Sequence, residues 1–324
     1  MFKKLLALTL ACLMMIPCVV ALAEEAETLT CGKYDYTLND DGSASIAKYN
    51  GGTKDLTIPS ELDGHPVTAI GDEAFIYCTN LPSITIPDSV TSIGHNAFFD
   101  CESLTSITIP DSVTSIDANP FSCCKKLVQI TVSPDHPTLE TIDGVLFEKN
   151  TRTLICYPYA FTAESYAVPQ GIQAIGNSAF YKCNLLTSII IPDSVTSIGD
   201  FAFSDCKSLT SIIIPVGVTS ISLRTFAYCE SLTSVIIPGS VTSIGESAFQ
   251  GCESLTSITI PDGVSSIGAL AFGGCKSLTS VTIPDSVAFI GKGAFAVCPK
   301  LTLTVTRDSY AEEYAMENGI PYTY

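Results

Sequence analysis

The 324-residue chain contains no tryptophan, only three histidines and few basic residues, with 16 Lys and Arg against 33 Asp and Glu. The formal charge of −17 disfavours nucleic acid and anionic membrane surfaces as partners, because both repel an acidic protein. We interpret the acidity as a means of keeping a Ser- and Thr-rich protein soluble. Charged residues are only 15% and hydrophobic residues 46%, a composition too apolar for a disordered chain.

Histidine is also absent from any metal-ligand pattern. His65, His95 and His136 stand at none of the spacings from Cys or Asp that are typical of metal sites. A Cys–His nucleophile is conceivable in any cysteine-rich chain, but a repeat explains the positions of the cysteines better. The sequence therefore predicts no enzymatic activity, no metal and no cofactor.

One sequence motif recurs every 23 residues, as in Leu-Thr-Ser-Ile-Thr-Ile-Pro-Asp-Gly-Val-Ser-Ser-Ile-Gly-Ala-Leu-Ala-Phe-Gly-Gly-Cys at 255–275. A fixed period in the twenties is the signature of a solenoid, in which each coil buries its apolar side chains against its neighbours. Nine cysteines mark the period: Cys78, Cys101 and Cys124, then Cys183, Cys206, Cys229, Cys252, Cys275 and Cys298.

Within one coil the alternation of Ile258 and Ile260 predicts an inner strand, which ends at Pro261 because proline has no amide proton. The spacing of Ala271, Phe272 and Cys275 predicts about one turn of outer helix. The predicted fold is an α/β leucine-rich-repeat solenoid with a curved, parallel inner β-sheet and short outer helices around one core. The strands expected in that single sheet are Ser83–Ile86, Ser106–Ile109, Gln129–Val132, Ser188–Ile191, Ser211–Ile214, Ser234–Ile237, Ser257–Ile260 and Ser280–Ile283.

The ends of the stack need caps. Strands at 34–38 and 45–49 around Asp40-Asp41-Gly42 predict a β-hairpin over the first coil. At the other end, Asp308 is the expected N-cap of a helix over 309–318 that Gly319 stops, before a final extended segment.

The period breaks between Val132 and Val168, where 36 residues contain no Ala-Phe-x-x-Cys. Apolar segments at 144–147 and 153–157 flank Glu-Lys-Asn and predict a hairpin that projects from the outer helix or replaces it. We interpret the aromatic cluster that follows as filling the space of the missing Phe and Cys: Tyr157, Tyr159, Phe161 and Tyr166.

Residues 1–23 have the pattern of a secretory signal peptide, with Lys3 and Lys4 before an apolar stretch and a small-x-small cleavage site ending at Ala23. Cys12 and Cys18 raise a lipoprotein alternative, but Cys12 lacks the usual upstream Leu and Cys18 follows a proline, so we prefer plain cleavage. Removing this segment changes the charge from −17 to −19, and no second apolar stretch is long enough to span a membrane.

The units Ile-Pro-Asp-Ser-Val-Thr-Ser-Ile-Gly-x-x-Ala-Phe-x-x-Cys, the entry hairpin, the insertion at 143–147 and the ending at 310–324 resemble the bacterial BspA-type leucine-rich repeat. The resemblance implies an exported protein of the cell surface or its surroundings, linked to adhesion, without catalytic residues. The expected organisation is: signal peptide 1–23, N-terminal β cap and first strand 24–66, repeats 67–132, irregular repeat with hairpin insertion 133–168, repeats 169–303, C-terminal cap 304–324.

Two functions stay open. The first is an adhesion-type module that holds an extracellular protein or glycan, and the second is a passive structural protein without a specific ligand. Three successive units carry Ile where most units carry Thr on the outward side of the inner strand. The candidate ligand-binding residues are these isoleucines and the serines beside them: Ser188, Ile190, Ser211, Ile213, Ser234 and Ile236. The alternative is that duplication copied one neutral change, since Ile suits any strand.

Aspartates that follow the inner strands form an interrupted ladder: Asp88, Asp111, Asp193, Asp262 and Asp285. Stacked carboxylates can hold calcium, but Ca²⁺ takes six to eight oxygens and Val216 and Gly239 break the ladder, so a solvated acidic edge is the better interpretation.

The nine in-register cysteines are predicted to be buried free thiols. Stacked coils place equivalent Cβ atoms about 4.8 Å apart, whereas a disulfide needs about 3.8 Å. Cys31, Cys123 and Cys156 are off register and allow no prediction.

Overall fold

The computed structural model describes residues 27–52 and 54–324, so the predicted signal peptide 1–23 lies outside the described residues. The chain forms a β-solenoid of about 12 turns, in which each regular coil contributes one strand to each of two parallel rows. We call these the inner row and the second row.

The inner row contains all eight strands that the repeat predicts, and every pairing within it is parallel. Its hydrogen-bonded ladder is divided into four groups, so the prediction of one uninterrupted sheet is wrong. Its strands are Asp55–Thr57, Ser83–Thr85, Ser106–Ile109 and Gln129–Val132; Ser165–Ala167 and Ser188–Ile190; Ser211–Ile213 and Ser234–Ile236; Ser257–Thr259, Ser280–Thr282, Thr302–Thr304 and Tyr322–Thr323.

The second row lies where the sequence indicated only a bend or short irregular strand. In regular coils it consists of two-residue strands, whose apolar residue is buried, as in Ile244 and Ile267, or half-buried, as in Ile116. Its strands are Ala44–Tyr49, His65–Ile70, Ser92–Ile93, Ser115–Ile116, Thr153–Cys156, Ala174–Ile175, Ser197–Ile198, Ser220–Ile221, Ser243–Ile244, Ser266–Ile267 and Phe289–Ile290.

The predicted outer helices are wrong: the Ala-Phe-x-x-Cys segments are turns. Half of their amides bond along the solenoid instead of along the chain, as where Phe226 N–H donates to Ala248 C=O at 2.8 Å and Tyr228 N–H donates to Gln250 C=O at 2.6 Å. In an α-helix, each amide after the first four would instead bond the carbonyl four residues earlier in the same chain segment. Tyr228 and its equivalents have positive φ, which turns alternate amides toward the next coil.

A column of aromatic rings runs through the core. Seven neighbouring phenylalanine pairs stack with centroids 5.0–5.6 Å apart. These phenylalanines are at most 3% exposed. Each coil thus contributes one ring to the column, in place of a single globular core. The rings are those of Phe75, Phe98 and Phe121, then Phe180, Phe203, Phe226, Phe249, Phe272 and Phe295.

The irregular segment is a three-stranded antiparallel unit inserted into the stack, with strands Leu139–Ile142, Val145–Glu148 and Thr153–Cys156. Its last strand pairs in parallel with Ala174–Ile175 and thus joins the second row. Tyr157 stacks on Phe180 at 5.1 Å, and Phe161 and Tyr166 pack against Tyr157. Three of the four predicted aromatics thus fill the place of the missing Phe, whereas Tyr159 is half-buried and lies outside both clusters of core residues.

The inserted unit also divides the core, so the expectation of one continuous core is wrong. Val145 and Phe147 belong to the C-terminal cluster of buried residues, whereas Leu146 between them belongs to the N-terminal cluster. Side chains alternate across a strand, so one strand covers the end of each cluster. The unit is therefore a two-sided partition between two stacks of coils.

Short elements stand at both ends. Strands Leu29–Cys31, Tyr34–Leu38 and Ala44–Tyr49 are antiparallel, and Tyr49 lies 5.4 Å from Phe75, while Glu61–Leu62 pairs with the start of His65–Ile70. The helix Tyr310–Glu317 packs Tyr314 against Phe295. Its N-cap is Ser309 rather than the predicted Asp308, because the Ser309 hydroxyl accepts the Glu312 amide while Asp308 has φ +58°.

All twelve cysteines of the described residues are free. Seven of the nine in-register thiols are buried, whereas Cys78 and Cys298 are half-buried because each lies in a terminal coil. The thiols also have a bonding role: Cys229 Sγ donates to Phe203 C=O at 3.2 Å, and Cys252 Sγ donates to Phe226 C=O at the same distance. Each such bond joins a coil to the preceding one.

Thiol titration checks this arrangement. Protein lacking residues 1–23 and kept from oxidation should show twelve free thiols in denaturant without reductant, because the leader holds only Cys12 and Cys18 of the fourteen cysteines. In native buffer, most should react slowly, since burial shields them. Fewer than nine free thiols in the denatured chain would show that some in-register cysteines form disulfides.

Candidate functional site

The predicted isoleucines form an exposed line on the inner row, which we call the isoleucine stripe. Ile190 is 68% exposed, Ile213 63% and Ile236 55%. Ile213 pairs directly with Ile236 in the parallel register. The strand of Ile190 belongs to the coil before that of Ile213 and contacts the Ile213 strand. The structure therefore brings the three residues together on one face.

Strand alternation accounts for their exposure. Ile189 and Ile212, between the outward residues, are buried in the core, and Val235 is half-buried. Side chains point to opposite faces at successive positions, so the flanking residues must face outward. Ser211 and Ser234 are exposed and Ser188 is half-buried. All six predicted site residues thus border the same surface.

The stripe is bounded on both sides. Ala167 pairs with Ile190 at one end, and Thr259 holds the equivalent position in the coil after Ile236. The remaining coils carry threonine there: Thr57, Thr85, Thr108, Thr131, Thr282 and Thr304. Three adjacent large apolar side chains on an otherwise hydroxyl-bearing row form a local patch.

Val216 belongs to the same neighbourhood and was missed by the sequence reasoning. It is 66% exposed, three residues after Ile213, in the turn that otherwise carries the aspartate ladder. Its replacement of Asp was treated only as a break in that ladder. Its place beside the isoleucine repeats was the signal that could have found it.

The threonines next to the stripe are already hydrogen-bonded along the solenoid. Thr210 Oγ1 donates to Thr187 C=O at 3.1 Å, and Thr233 Oγ1 donates to Thr210 C=O at 3.1 Å. Their hydroxyl protons are therefore committed to the backbone. Apolar contact is what the stripe itself offers a partner.

Replacing the stripe by threonine tests its exposure. Ile213→Thr places at 213 the residue that neighbouring coils carry, so we expect the free energy of unfolding to change by no more than about 0.5 kcal/mol. Ile212→Thr, one residue earlier and buried, should cost about 2 kcal/mol or more. Urea denaturation of both variants measures the difference, and equal losses would show that Ile213 is not exposed.

The histidines and acidic residues outside the stripe do not come together in a common site. His65 Nδ1 lies 2.8 Å from Gly42 C=O, and His136 is buried with Nε2 3.2 Å from Pro110 C=O. The five aspartates of the ladder are exposed. Among residues 27–52 and 54–324, no three His, Cys, Asp or Glu side chains are grouped so as to hold a metal ion.

The buried thiols are held in their neutral form. Burial raises the pKa of Cys206 and Cys252 to about 12, although a backbone hydrogen bond acts in the opposite direction in each case. Burial likewise raises the pKa of Cys183 and Cys229 well above the usual value. The thiolate is the nucleophilic form of cysteine, so these core thiols are suited to packing at neutral pH.

Comparison with known proteins gives one family. The model of the BspA type leucine-rich repeat region matches in six copies, over residues 48–168 and 173–302. No curated protein matches the chain. No helix in the described part of the chain is long and apolar enough to cross a membrane.

Several solved bacterial structures are similar. A leucine-rich repeat protein from Eubacterium ventriosum is 23% identical with a TM-score of 0.58, over 84% of this chain and 95% of its own. The pneumococcal vaccine antigen PcpA is 20% identical with a TM-score of 0.57, over 92% and 98%. A leucine-rich cell surface protein from Faecalibacterium prausnitzii is 28% identical with a TM-score of 0.46, over 90% and 98%.

Proposed function

The chain belongs to the BspA-type leucine-rich repeat family, and on that premise we propose that it is an exported adhesion-type protein whose isoleucine stripe binds an extracellular protein. The observation that carries the proposal is the exposure of Ile190, Ile213 and Ile236 side by side on one row. When a partner removes large apolar side chains from water, the free energy falls by about 25 cal/mol per Å² of apolar surface buried.

A protein partner fits the stripe better than a glycan does. The stripe contains no aromatic ring, and the adjacent Thr210 and Thr233 hydroxyls already donate to carbonyls. Sugar recognition needs polar groups with free donors and acceptors, whereas apolar protein surfaces need contact area. A glycan that binds at the stripe would overturn this choice of partner.

Export is the second part of the proposal. The segment 1–23 supports it, with its basic start, apolar stretch and cleavage site near Ala23. N-terminal sequencing of the protein released by its source cells would test it, and a product that keeps residues 1–23 would contradict cleavage.

The competing function is a passive secreted rod. Repeat duplication alone could have copied one isoleucine through three coils, and Phe289, 54% exposed on the second row, shows that an isolated exposed apolar residue is tolerated. The passive function predicts no partner for the mature protein. Incubation with host matrix proteins and with bacterial surface extracts, followed by recovery of bound material, separates the two.

Matched triple variants then test the stripe. Ile190→Thr, Ile213→Thr and Ile236→Thr together should leave the fold intact and weaken binding of the recovered protein by about tenfold or more, since interface apolar anchors each contribute above about 1 kcal/mol. The control triple, Thr85→Ser, Thr108→Ser and Thr131→Ser, changes the same row outside the stripe. Equal affinity of both triples for every partner would refute the proposal.

A further inference from the structure

A second candidate surface lies on the turn face of the coils, at the junction made by the inserted unit. There a cleft of about 400 Å³ opens between the coils before the insertion and those after it. We call it the seam cleft. Its chemically distinctive residues are His95, Phe99, Asp117, Asn177, Tyr181 and Asp200.

The cleft lies where the inter-coil ladder is reduced at the third coil, although a backbone bond from Asn119 N–H to Asn177 C=O remains at 3.4 Å. Phe98 N–H donates to Pro120 C=O of the next coil at 2.9 Å, as the repeat requires. Phe121 N–H instead donates to Asn119 Oδ1 in its own coil, at 3.0 Å. Asn119 Nδ2 then crosses the junction to Ser178 C=O at 2.9 Å. The backbone amide and the side chain of Asn119 thus both join the two stacks beside the opening.

A small residue deepens the opening. Ser122 occupies in the third coil the position that Phe99 and Tyr181 occupy in the flanking coils, and it is buried. The Phe99 and Tyr181 rings consequently approach each other across it, with centroids 6.5 Å apart and planes tilted by 36°. The cleft therefore has an aromatic wall built from both stacks.

Polar groups with free hydrogen-bonding capacity face these rings. The exposed Asp117 carboxylate makes no hydrogen bond within residues 27–52 and 54–324. Asn177 Oδ1 accepts the Asp200 amide at 2.8 Å, which leaves the Asn177 amide donors unpaired among the described residues. Asp200 Oδ1 accepts the Leu223 amide at 3.0 Å and keeps its other oxygen available.

We propose that the seam cleft binds a neutral saccharide. Each sugar hydroxyl both donates and accepts, which matches a lining of carboxylates, amides and imidazole, and the apolar face of a sugar ring can pack on the aromatic wall. A second cavity of about 210 Å³ shares Asp117 and Asn177 with the seam cleft and also borders Glu148 and Thr151.

The charged groups around the seam cleft favour a neutral ligand over an anion or a cation. Asp117 and Asp200 repel an anion. A cationic ligand is disfavoured at the aromatic wall because the wall already carries cations: Lys182 Nζ lies 5.1 Å from the Tyr181 ring centroid, and the Arg224 guanidinium lies 5.6 Å from that of Phe201, which also lines the cleft. An uncharged ligand with many hydroxyls avoids both conflicts.

The test uses the chain from residue 24 onward and saturation-transfer NMR with free neutral hexoses, N-acetylhexosamines and their disaccharides. We expect signal transfer from at least one of these sugars. The double variant Asp117→Ala and Asn177→Ala alters exposed residues, so it should stay folded by circular dichroism and bind about tenfold or more weakly. The matched control, Asp262→Ala and Asp285→Ala, removes two exposed carboxylates outside the cleft.

Each result decides the proposal. Transfer that is lost in the cleft variant and kept in the control supports the saccharide site. No transfer from any of these sugars, equal binding by both double variants, or competition by a small alkylamine instead of by sugars would overturn it. The isoleucine-stripe triple variant should bind the sugar normally, so failure at one surface leaves the other testable.

Discussion

Phe226→Ala should lower the free energy of unfolding by about 3–5 kcal/mol, the usual cost of removing a buried phenylalanine ring. Phe226 is fully buried and stacks on Phe203 and Phe249, each at 5.4 Å and within 10° of parallel. Its loss removes ring contacts on both sides and leaves a cavity in the middle of the column. Urea denaturation followed by circular dichroism measures the change.

The control for this variant lies two residues away. Tyr228 is 41% exposed, and Tyr228→Ala should change the free energy of unfolding by no more than about 0.5 kcal/mol. If Phe226→Ala were as mild as Tyr228→Ala, the aromatic column would not be a main source of stability in this fold.

Alkaline pH should destabilise the protein steeply. Burial raises the pKa of Cys206 and Cys252 from the ordinary 9.0 to about 12 in the folded chain. Each thiol therefore contributes stability that is fully present below about pH 9 and is lost as the pH rises toward 12, because the unfolded chain releases the proton first. The loss is about 1.4 kcal/mol per pH unit for each such thiol.

Several thiols act together, so the slope should be large. Burial also raises the pKa of Cys183 and Cys229. These thiols therefore add to the difference in the number of bound protons between the folded and the unfolded chain. Cys206→Ala should lower the free energy of unfolding at neutral pH by creating a cavity, yet reduce the slope of its alkaline decrease by about 1.4 kcal/mol per pH unit, the contribution of one thiol. A free energy of unfolding that stays constant between about pH 8 and 11 would show that these thiols are accessible to water.

The repeat itself could be predicted from the sequence because its signals are local and recur in every coil. Ile258 and Ile260 alternate around a single threonine and precede a proline, which fixes an inner strand and its end. Outward exposure of the isoleucine stripe follows from the same alternation. Free thiols follow from the spacing of stacked coils.

The outer segment could not be predicted by the same means. The spacing of Ala271, Phe272 and Cys275 is helical. However, spacing does not reveal whether their amides bond a carbonyl of the same segment or one of the next coil. In the fold, Phe272 N–H donates to Ala294 C=O at 2.7 Å, a bond that requires the next coil to be in place. The tertiary bond therefore overrides the local helical pattern.

The partition was equally hidden. Val145, Leu146 and Phe147 form a continuous apolar run, which is typical of a strand buried on both faces. The sequence predicts a hairpin that projects from the outer helix or replaces it, because nothing in it indicates that the two faces of the strand belong to different cores. The seam cleft depends on that partition and on Asn119, so sequence reasoning missed it too.

The measurement that tests the isoleucine stripe most directly is site-specific photo-crosslinking to the partner recovered from matrix proteins or surface extracts. A photoreactive residue replaces Ile213 in one protein and Thr108 in another, two outward positions of the same row. We predict a covalent adduct from position 213 and none from position 108. Adducts of equal yield from both positions, or an adduct from position 108 alone, would contradict binding at the isoleucine stripe.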